Sequence, residues 1–339
     1  MPSVSASLGI DDVRRVLERV DVVDDPHSLP STAVTHVGDG VNDVFVVDPP
    51  DQGAARFVLK VGTLSSAANL RGGVAAARVL RAYTSLPVPH VLAFDPGDGE
   101  QPPAVATTYC DGTPLASGFD DVENFTDPAA VSLVGETVDA LDAIPPEAAV
   151  GYGSVRAVES VDDDPQLVAT HDDFDDWLVG YASKHFESPA PHPALERVAP
   201  DALEYLESNR DRLPSDPSPS VVLTDFSPGN LLAPDGRPPA SVDDLSGLID
   251  LERAKIGPAT FAAVNLEYLL TNELDDPTPV QEALYDELSF GPDLPLRDLY
   301  WLVALSRPVS GLATWENPES PEFDRRARAV ARSIDALVD

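Results

Sequence analysis

The chain has 339 residues, 43% of them hydrophobic, with 58 acidic against 22 basic side chains and a formal net charge of −36. That length buries a sizeable core in one or two domains, and that charge argues against nucleic acid or an anionic membrane as a partner. No apolar run approaches the roughly 18 residues of a spanning helix, and Cys110 is the single cysteine, so neither an internal disulfide nor a cysteine-based metal site is expected. The opening MPSVSASLGIDDVRRVLERV lacks the segments of a signal peptide, which makes the cytoplasm the expected compartment. Acidic pairs such as Asp11-Asp12, Asp24-Asp25 and Asp243-Asp244 recur throughout, and there are only three lysines, Lys60, Lys184 and Lys255. One reading is a field that attracts a cationic substrate. The preferred one is a surface adapted to a very salty cytoplasm, where screening acts over about 3 Å at 1 M salt.

In chain order, residues 9–20 place Ile10, Val13, Val16, Leu17 and Val20 on one helical face. TAVTHVGDGVNDVFVVDP then holds two β-branched runs, 33–37 and 43–47, joined by GDGVN, which reads as a hairpin. ARFVLKV (55–61) is a third strand, SSAANLRGGVAAARVLRAYTSL (65–86) a helix that stops before Pro87, and PHVLAFD and PAVATTYC are two more strands. Beyond residue 125 helices take over, at about 128–143, 173–186, 196–212, 260–272, 278–288, 296–314 and 321–338. Short strands are expected to interrupt them only between 219 and 250, at SVVL, NLLA and SGLID. The expectation is an α+β arrangement. A small antiparallel sheet with one helix occupies residues 1–110, and a larger, mostly helical part occupies 111–339.

LTDFSPGNLL (223–232) sets Asp225 and Asn230 on either side of a Ser-Pro-Gly turn, and LSGLIDLE ends a later strand at Asp250. A hairpin joining them would bring Asn230 and Asp250 side by side. A carboxylate and an amide oxygen, with room left for phosphate oxygens, suit magnesium; Asp225 would then be a catalytic carboxylate beside the metal without ligating it. In GDGVN, Gly38 and Gly40 let a backbone approach phosphates, and Lys60, ending the third strand, can reach the α and β phosphates of a nucleotide. Singly, these are ordinary turn formers and a surface lysine; their co-occurrence gives them meaning. The six histidines, His27, His36, His90, His171, His185 and His192, show no metal-ligand spacing. HDDFDDWLVGYASKHF (171–186) reads as a packed helix with Phe174, Trp177, Leu178 and Tyr181 inward, and Trp301 and Trp315 read as core.

In this order and spacing, the GDGVN hairpin, RFVLK, TTYCDGTPL, TDFSPGNLL and LIDLE resemble the aminoglycoside phosphotransferase family, which belongs with choline kinase-like and fructosamine kinase-like enzymes. The match runs from about residue 31 to 272. The resemblance implies a protein-kinase-like two-lobed fold and magnesium-dependent transfer of the γ-phosphoryl group of ATP to a hydroxyl of a small molecule. It implies that Asp225 orients the hydroxyl or accepts its proton, that Asn230 and Asp250 hold magnesium, and that Lys60 contacts the nucleotide phosphates near Gly38, Gly40 and Asn42. Thr107, Tyr109 and Cys110 would form a hinge against the adenine, and Asp172, Asp173 or Asp176 would be minor candidates for meeting a cationic acceptor.

The chain departs from the family's pattern at three places. Leu223 stands where a His usually precedes the catalytic Asp, Ala76 where a helix Glu usually partners the lysine, and Ala262 or a neighbour where a buried Asp is common. No acid lies between Leu64 and Val91, so a partner for Lys60 is expected from elsewhere. The competing reading is a kinase-like nucleotide-binding or regulatory protein without turnover. Ala76 and Leu223 favour it, and the intact Lys60, Asp225, Asn230 and Asp250 favour the enzyme. A protein kinase fits less well, because no Ala-Pro-Glu stop follows LIDLE. The acceptor stays open among aminoglycosides, amino sugars, sugars, and choline-like or homoserine-like alcohols, and the oligomeric state is not readable.

Overall fold

The computed structural model describes residues 8–39, 42–50, 55–117, 121–161 and 164–338. The first part runs α1 (Ile10–Val20), β1 (Val34–Asp39), β2 (Asp43–Val47), β3 (Phe57–Val61), α2 (Ala67–Tyr83), β4 (Val91–Asp95) and β5 (Ala104–Thr108). Its strands form one sheet in the order β1-β2-β3-β5-β4, every neighbouring pair antiparallel. Strict alternation of buried and half-buried residues along β2 and β3 gives the sheet one apolar face. Val13, Val16, Leu17 and Val20 of α1 close that face against Phe45, Val47, Phe57 and Leu59.

Helix α2 begins where the Ser66 hydroxyl caps the Asn69 amide. Leu70 and Val74 pack on Val105 of the sheet, whereas Ala75, Ala76, Val79 and Leu80 enter the core of the helical part. The one helix between the strands is therefore shared by both parts of the molecule.

The remainder runs β6 (Thr113–Pro114), α3 (Val122–Phe125), α4 (Pro128–Asp142), β7 (Ala149–Val150), β8 (Gly153–Ser154), β9 (Ala157–Val161), β10 (Asp164–Val168), α5 (Phe174–Phe186) and α6 (Pro193–Ser208). It continues with β11 (Ser220–Leu223), β12 (Leu231–Ala233), β13 (Gly247–Leu248), β14 (Ala254–Gly257), α7 (Ala259–Thr271), α8 (Thr278–Tyr285), α9 (Arg297–Trp315) and α10 (Pro321–Val338). The two-lobed α+β fold is thus the one expected. The expectation of strands only between 219 and 250 is corrected. A β7-β10-β9 sheet lies within residues 149–168, and β14 pairs between β11 and β8. AVESVDDDPQLV alternates poorly, and strands of two residues leave no periodic signal to read.

The helical part is centred on aromatic rings from three helices: Phe174 of α5, Phe261 of α7 and Tyr300 of α9 meet edge to face, with centroids 5.5 to 6.4 Å apart. Within α7 itself, Glu267, 0% exposed, accepts hydrogen bonds from Gln281 (2.6 Å) and the Tyr285 hydroxyl (2.9 Å) and pairs with Arg297. A buried carboxylate is tolerable only when satisfied in this way, so Glu267 ties α7 to α8 and to the start of α9. Glu267→Ala is expected to cost on the order of 3 kcal/mol by leaving these donors unpaired. Urea unfolding measures it, and an unchanged midpoint would refute the role.

Candidate active site

Strand β11 is buried along its whole length and pairs with β14, Val222 opposite Lys255. The chain leaves it at Thr224-Asp225 and turns through Ser227–Asn230. There the Asn230 Oδ1 accepts from the Ser227 amide (2.9 Å) and hydroxyl (3.2 Å). Strand β12 then pairs with β13, Leu231 opposite Leu248, and the Ile249 amide donates to the Asn230 carbonyl at 3.0 Å. The hairpin therefore sets Asn230 across from the residue preceding Asp250. Asp250 adopts φ +68°, a left-handed conformation that costs a residue with a Cβ and is held only where its surroundings enforce it.

Those surroundings are Lys60 and Glu252. The Lys60 ammonium lies 2.9 Å from Asp250 Oδ1 and also pairs with Glu252, whose side chain is 10% exposed, while Asp250 keeps 52% of its own open. Burial draws the Lys60 pKa down, and the carboxylates of Glu252 and Asp250 more than reverse this, leaving it above the ordinary lysine value. For Asp250, burial works upward, but Lys60, a hydrogen bond with Glu252 and the Arg253 charge together outweigh it and hold the carboxyl well below the usual range. Burial pushes Glu252 the other way, above the ordinary glutamate value, with Asp250 reinforcing it and Lys60 opposing. Ala76 is fully buried in the helical core. The face of α2 near Lys60 instead carries Gly72 and Gly73, where an added Cβ would lie 2.8 Å from the Val155 carbonyl oxygen and 3.0 Å from the Glu252 Cα. Bare helix backbone thus presses on the segment that supplies Glu252, the last residue of LIDLE, to which the sequence reading gave no role.

Asp225 is held from two sides, by Arg253 Nη1 at 3.0 Å on Oδ2 and by Arg307 of α9 on Oδ1. Its neighbour's carbonyl, Thr224 O, accepts from the buried Asn265 amide (2.9 Å) and from Arg307 Nη1 (3.1 Å). Leu223 and Ala262 are both core residues. Asn265 and Arg307 therefore fix the loop where a His and a buried Asp were looked for, and neither was legible within an apolar helical run.

Asp225, Asn230, Asp250 and Glu252 line one cavity of about 790 Å³ that extends from Asn42, Ser65 and Asn69 to α9 and α10; Lys60 is not among its described lining residues. Asn42 is buried, and its amide oxygen has no hydrogen-bond partner among the described residues. Gly38 lies in β1 opposite Val44, and Gly40 falls outside the described residues. Thr107 lies within β5, the Tyr109 ring is covered by the Arg56 guanidinium at 4.3 Å, and Cys110 packs on Gly247. None of these three is among the cavity's described lining residues. Asp176 pairs with Arg210, and Asp172 and Asp173 are likewise not in the lining. Trp315, expected in the core, is 52% exposed and forms a cavity wall, because α9 ends there.

Among the described residues no group of three or more His, Cys, Asp or Glu is placed to hold a metal alone. Asp250 and Asn230 offer two hard oxygens at one hairpin end, a set that fits magnesium when substrate phosphates complete the shell. Asn230 Oδ1 would have to release one of its Ser227 bonds.

Lobe order, sheet topology and this cavity define a protein-kinase-like fold. The sequence model of the phosphotransferase enzyme family matches residues 33–292, and the chain belongs to that family. No curated protein matches the sequence closely enough to count as a relative. Among solved structures, aminoglycoside phosphotransferase APH(4)-Ia is similar at 20% identity and TM-score 0.63, over 97% of this chain and 98% of the other. Amicoumacin kinase hAmiN, in complex with AMP-PNP, Ca2+ and Ami, is similar at 11% identity and TM-score 0.61, over 95% and 93%. A choline/ethanolamine kinase family protein from Mesorhizobium loti follows at 16% and 0.55, over 97% and 95%.

Lys60→Met leaves Glu252 beside Asp250 with no countercharge and is expected to lose about 2–3 kcal/mol, less than for a fully buried pair because Asp250 is half open. Adding Glu252→Gln should restore most of it. Equal denaturation midpoints for wild type and Lys60→Met would remove Lys60 from this role.

Proposed function

We propose that the protein is an ATP-dependent kinase of a small-molecule alcohol, acting in the cytoplasm. Residues 1–110 form the nucleotide-binding lobe, and residues 111–339 carry the catalytic loop and the acceptor site. The observation that carries this reading is the convergence of Asp225, Asn230, Asp250 and Glu252 around one cavity, with Lys60 anchored on the last two. Family membership and the nucleotide complex of the similar amicoumacin kinase support it.

Phosphoryl transfer asks mainly for positioning and charge compensation, because charge in a loose transition state sits on the phosphoryl oxygens. Asp225 accepts the proton of the acceptor hydroxyl as that oxygen bonds to the γ-phosphorus. The bond to the β–γ bridging oxygen breaks, and ADP leaves with its electron pair. A carboxylate has about four lone-pair sites, so Asp225 can serve as base while both arginines hold it in place. Lys60 has three donors and can keep Glu252 while meeting a phosphate oxygen. Magnesium held by Asp250 and Asn230 would neutralise charge on the phosphates. Gly38, Gly40 and Asn42 are assigned to the phosphate side, and Thr107, Tyr109 and Cys110 to the adenine side. The alternative without turnover rested on Ala76 and Leu223; Glu252 and Asn265 supply contacts of the kind those positions lack, which favours the enzyme.

Asp225→Asn is expected to reduce transfer by 10²–10⁴-fold while Mg-ATP binding stays nearly intact, whereas Asp250→Asn should damage both. ADP release and calorimetry in concentrated KCl measure the two quantities. Equal losses of binding in both variants would contradict these roles.

A further inference from the structure

The chain carries 58 acids against 22 bases, yet the described lining of the cavity has five acids, Asp225, Asp250, Glu252, Glu273 and Glu316, against four arginines, Arg253, Arg307, Arg325 and Arg326. Two of the acids, Asp250 and Glu252, are engaged by Lys60. Glu273 and Glu316 pair with Arg325 and Arg326 of α10. At the remaining end Asp225 alone faces Arg253 and Arg307.

Behind them stands Lys255 of β14, whose ammonium donates to the Ser154 hydroxyl at 2.9 Å and has no carboxylate partner among the described residues. Burial lowers its pKa to about 8, with repulsion from Arg253 and Arg307 adding to this and Asp225 opposing it. Three cations therefore surround one carboxylate in a chain with acids to spare. Arg253 is the accessible member, 43% exposed, with Asp225 as its one ion-pair partner among the described residues and the rest of its fork uncommitted. A guanidinium fork fits a carboxylate or phosphate in two-pronged fashion. Beside it the Arg307 guanidinium lies 5.7 Å over the Trp315 ring, and Trp315 with Leu312 and Pro308 supplies an apolar wall.

Resting on the phosphotransferase reading, we propose that the acceptor is an alcohol that also carries an anionic group, carboxylate or phosphate, docked on Arg253 beside Arg307 and Lys255 with its hydroxyl at Asp225 and its apolar body against Trp315. A polycationic acceptor would meet like charge at that place and find the carboxylate there, Asp225, already paired with two arginines.

Three probes share one phenyl ring and one secondary alcohol and carry a negative, neutral or positive group on the alcohol carbon: mandelate, its near-isostere mandelamide, and 2-amino-1-phenylethanol. Calorimetry on the full-length protein with Mg-ADP at constant ionic strength should show mandelate binding at least tenfold tighter than the amide and the amine weakest. The preference should be lost in Arg253→Gln and reduced several-fold in Lys255→Gln, which leaves Asp225 and its arginines in place. The phosphate analogue, 2-hydroxy-2-phenylethyl phosphate, tells which anion is preferred. An amine bound as tightly as mandelate, no mandelate binding at millimolar concentration, or mandelate affinity unchanged in both variants would overturn the proposal. Mg-ATP binding and ADP release on the same samples report separately on the kinase reading, so a failure of either is seen by itself.

Discussion

A lysine shut between two carboxylates at the meeting of sheet and helices governs the rest of the structure. An ammonium removed from water costs several kcal/mol unless partners are held in good geometry. Lys60 stands one residue before the end of β3, and its partners come from the segment between β13 and β14, so satisfying that charge registers the two parts against each other. Gly72 and Gly73 then let α2 close on the same segment, and Asp250 is held in a backbone conformation it would not choose freely. The geometry that brings Asp250 beside Asn230 thus follows from a charge that must be answered.

The charge of −36 hides a sorting of arginines. On α10, Arg326 is held by Glu273 and Glu316 in the cavity wall, while Arg325 and Arg328 are spent on the exposed Glu322 and Asp324. Exposed pairs of this kind each contribute little to stability. Arg253 and Arg307 are spent differently, on a loop aspartate in a cavity, where the same residue type fixes a reactive group. Composition alone reports the sum and loses this distinction.

Much of the architecture was legible because it is local. The hairpin 33–47, the Ala-rich helix and the D-x-x-x-x-N loop each declare themselves within a few residues, through period, turn chemistry or spacing. The absence of an acid between Leu64 and Val91 correctly pointed Lys60 elsewhere. What stayed hidden depends on tertiary contact. Arg307 and Asn265 sit in helices whose apolar pattern reads as core, and only packing brings them to Thr224. Trp315 looked internal by composition and is a wall because the helix stops there. The strands of 149–168 are too short and too acidic to alternate.

The Lys60–Glu252 contact spans 192 positions of chain. At synthesis rates of roughly 5–20 residues per second, Lys60 emerges roughly 10–40 seconds before its partner. Through that interval the Lys60 ammonium lacks its partners and α2 lacks the Leu251–Glu252 segment that Gly73 meets. The N-terminal part is therefore built to wait for this long loop closure, after which α9 and α10 still have to bring Arg307 and the far wall to the cavity. A ribosome that stalls anywhere before residue 252 leaves a chain with no version of this cavity at all.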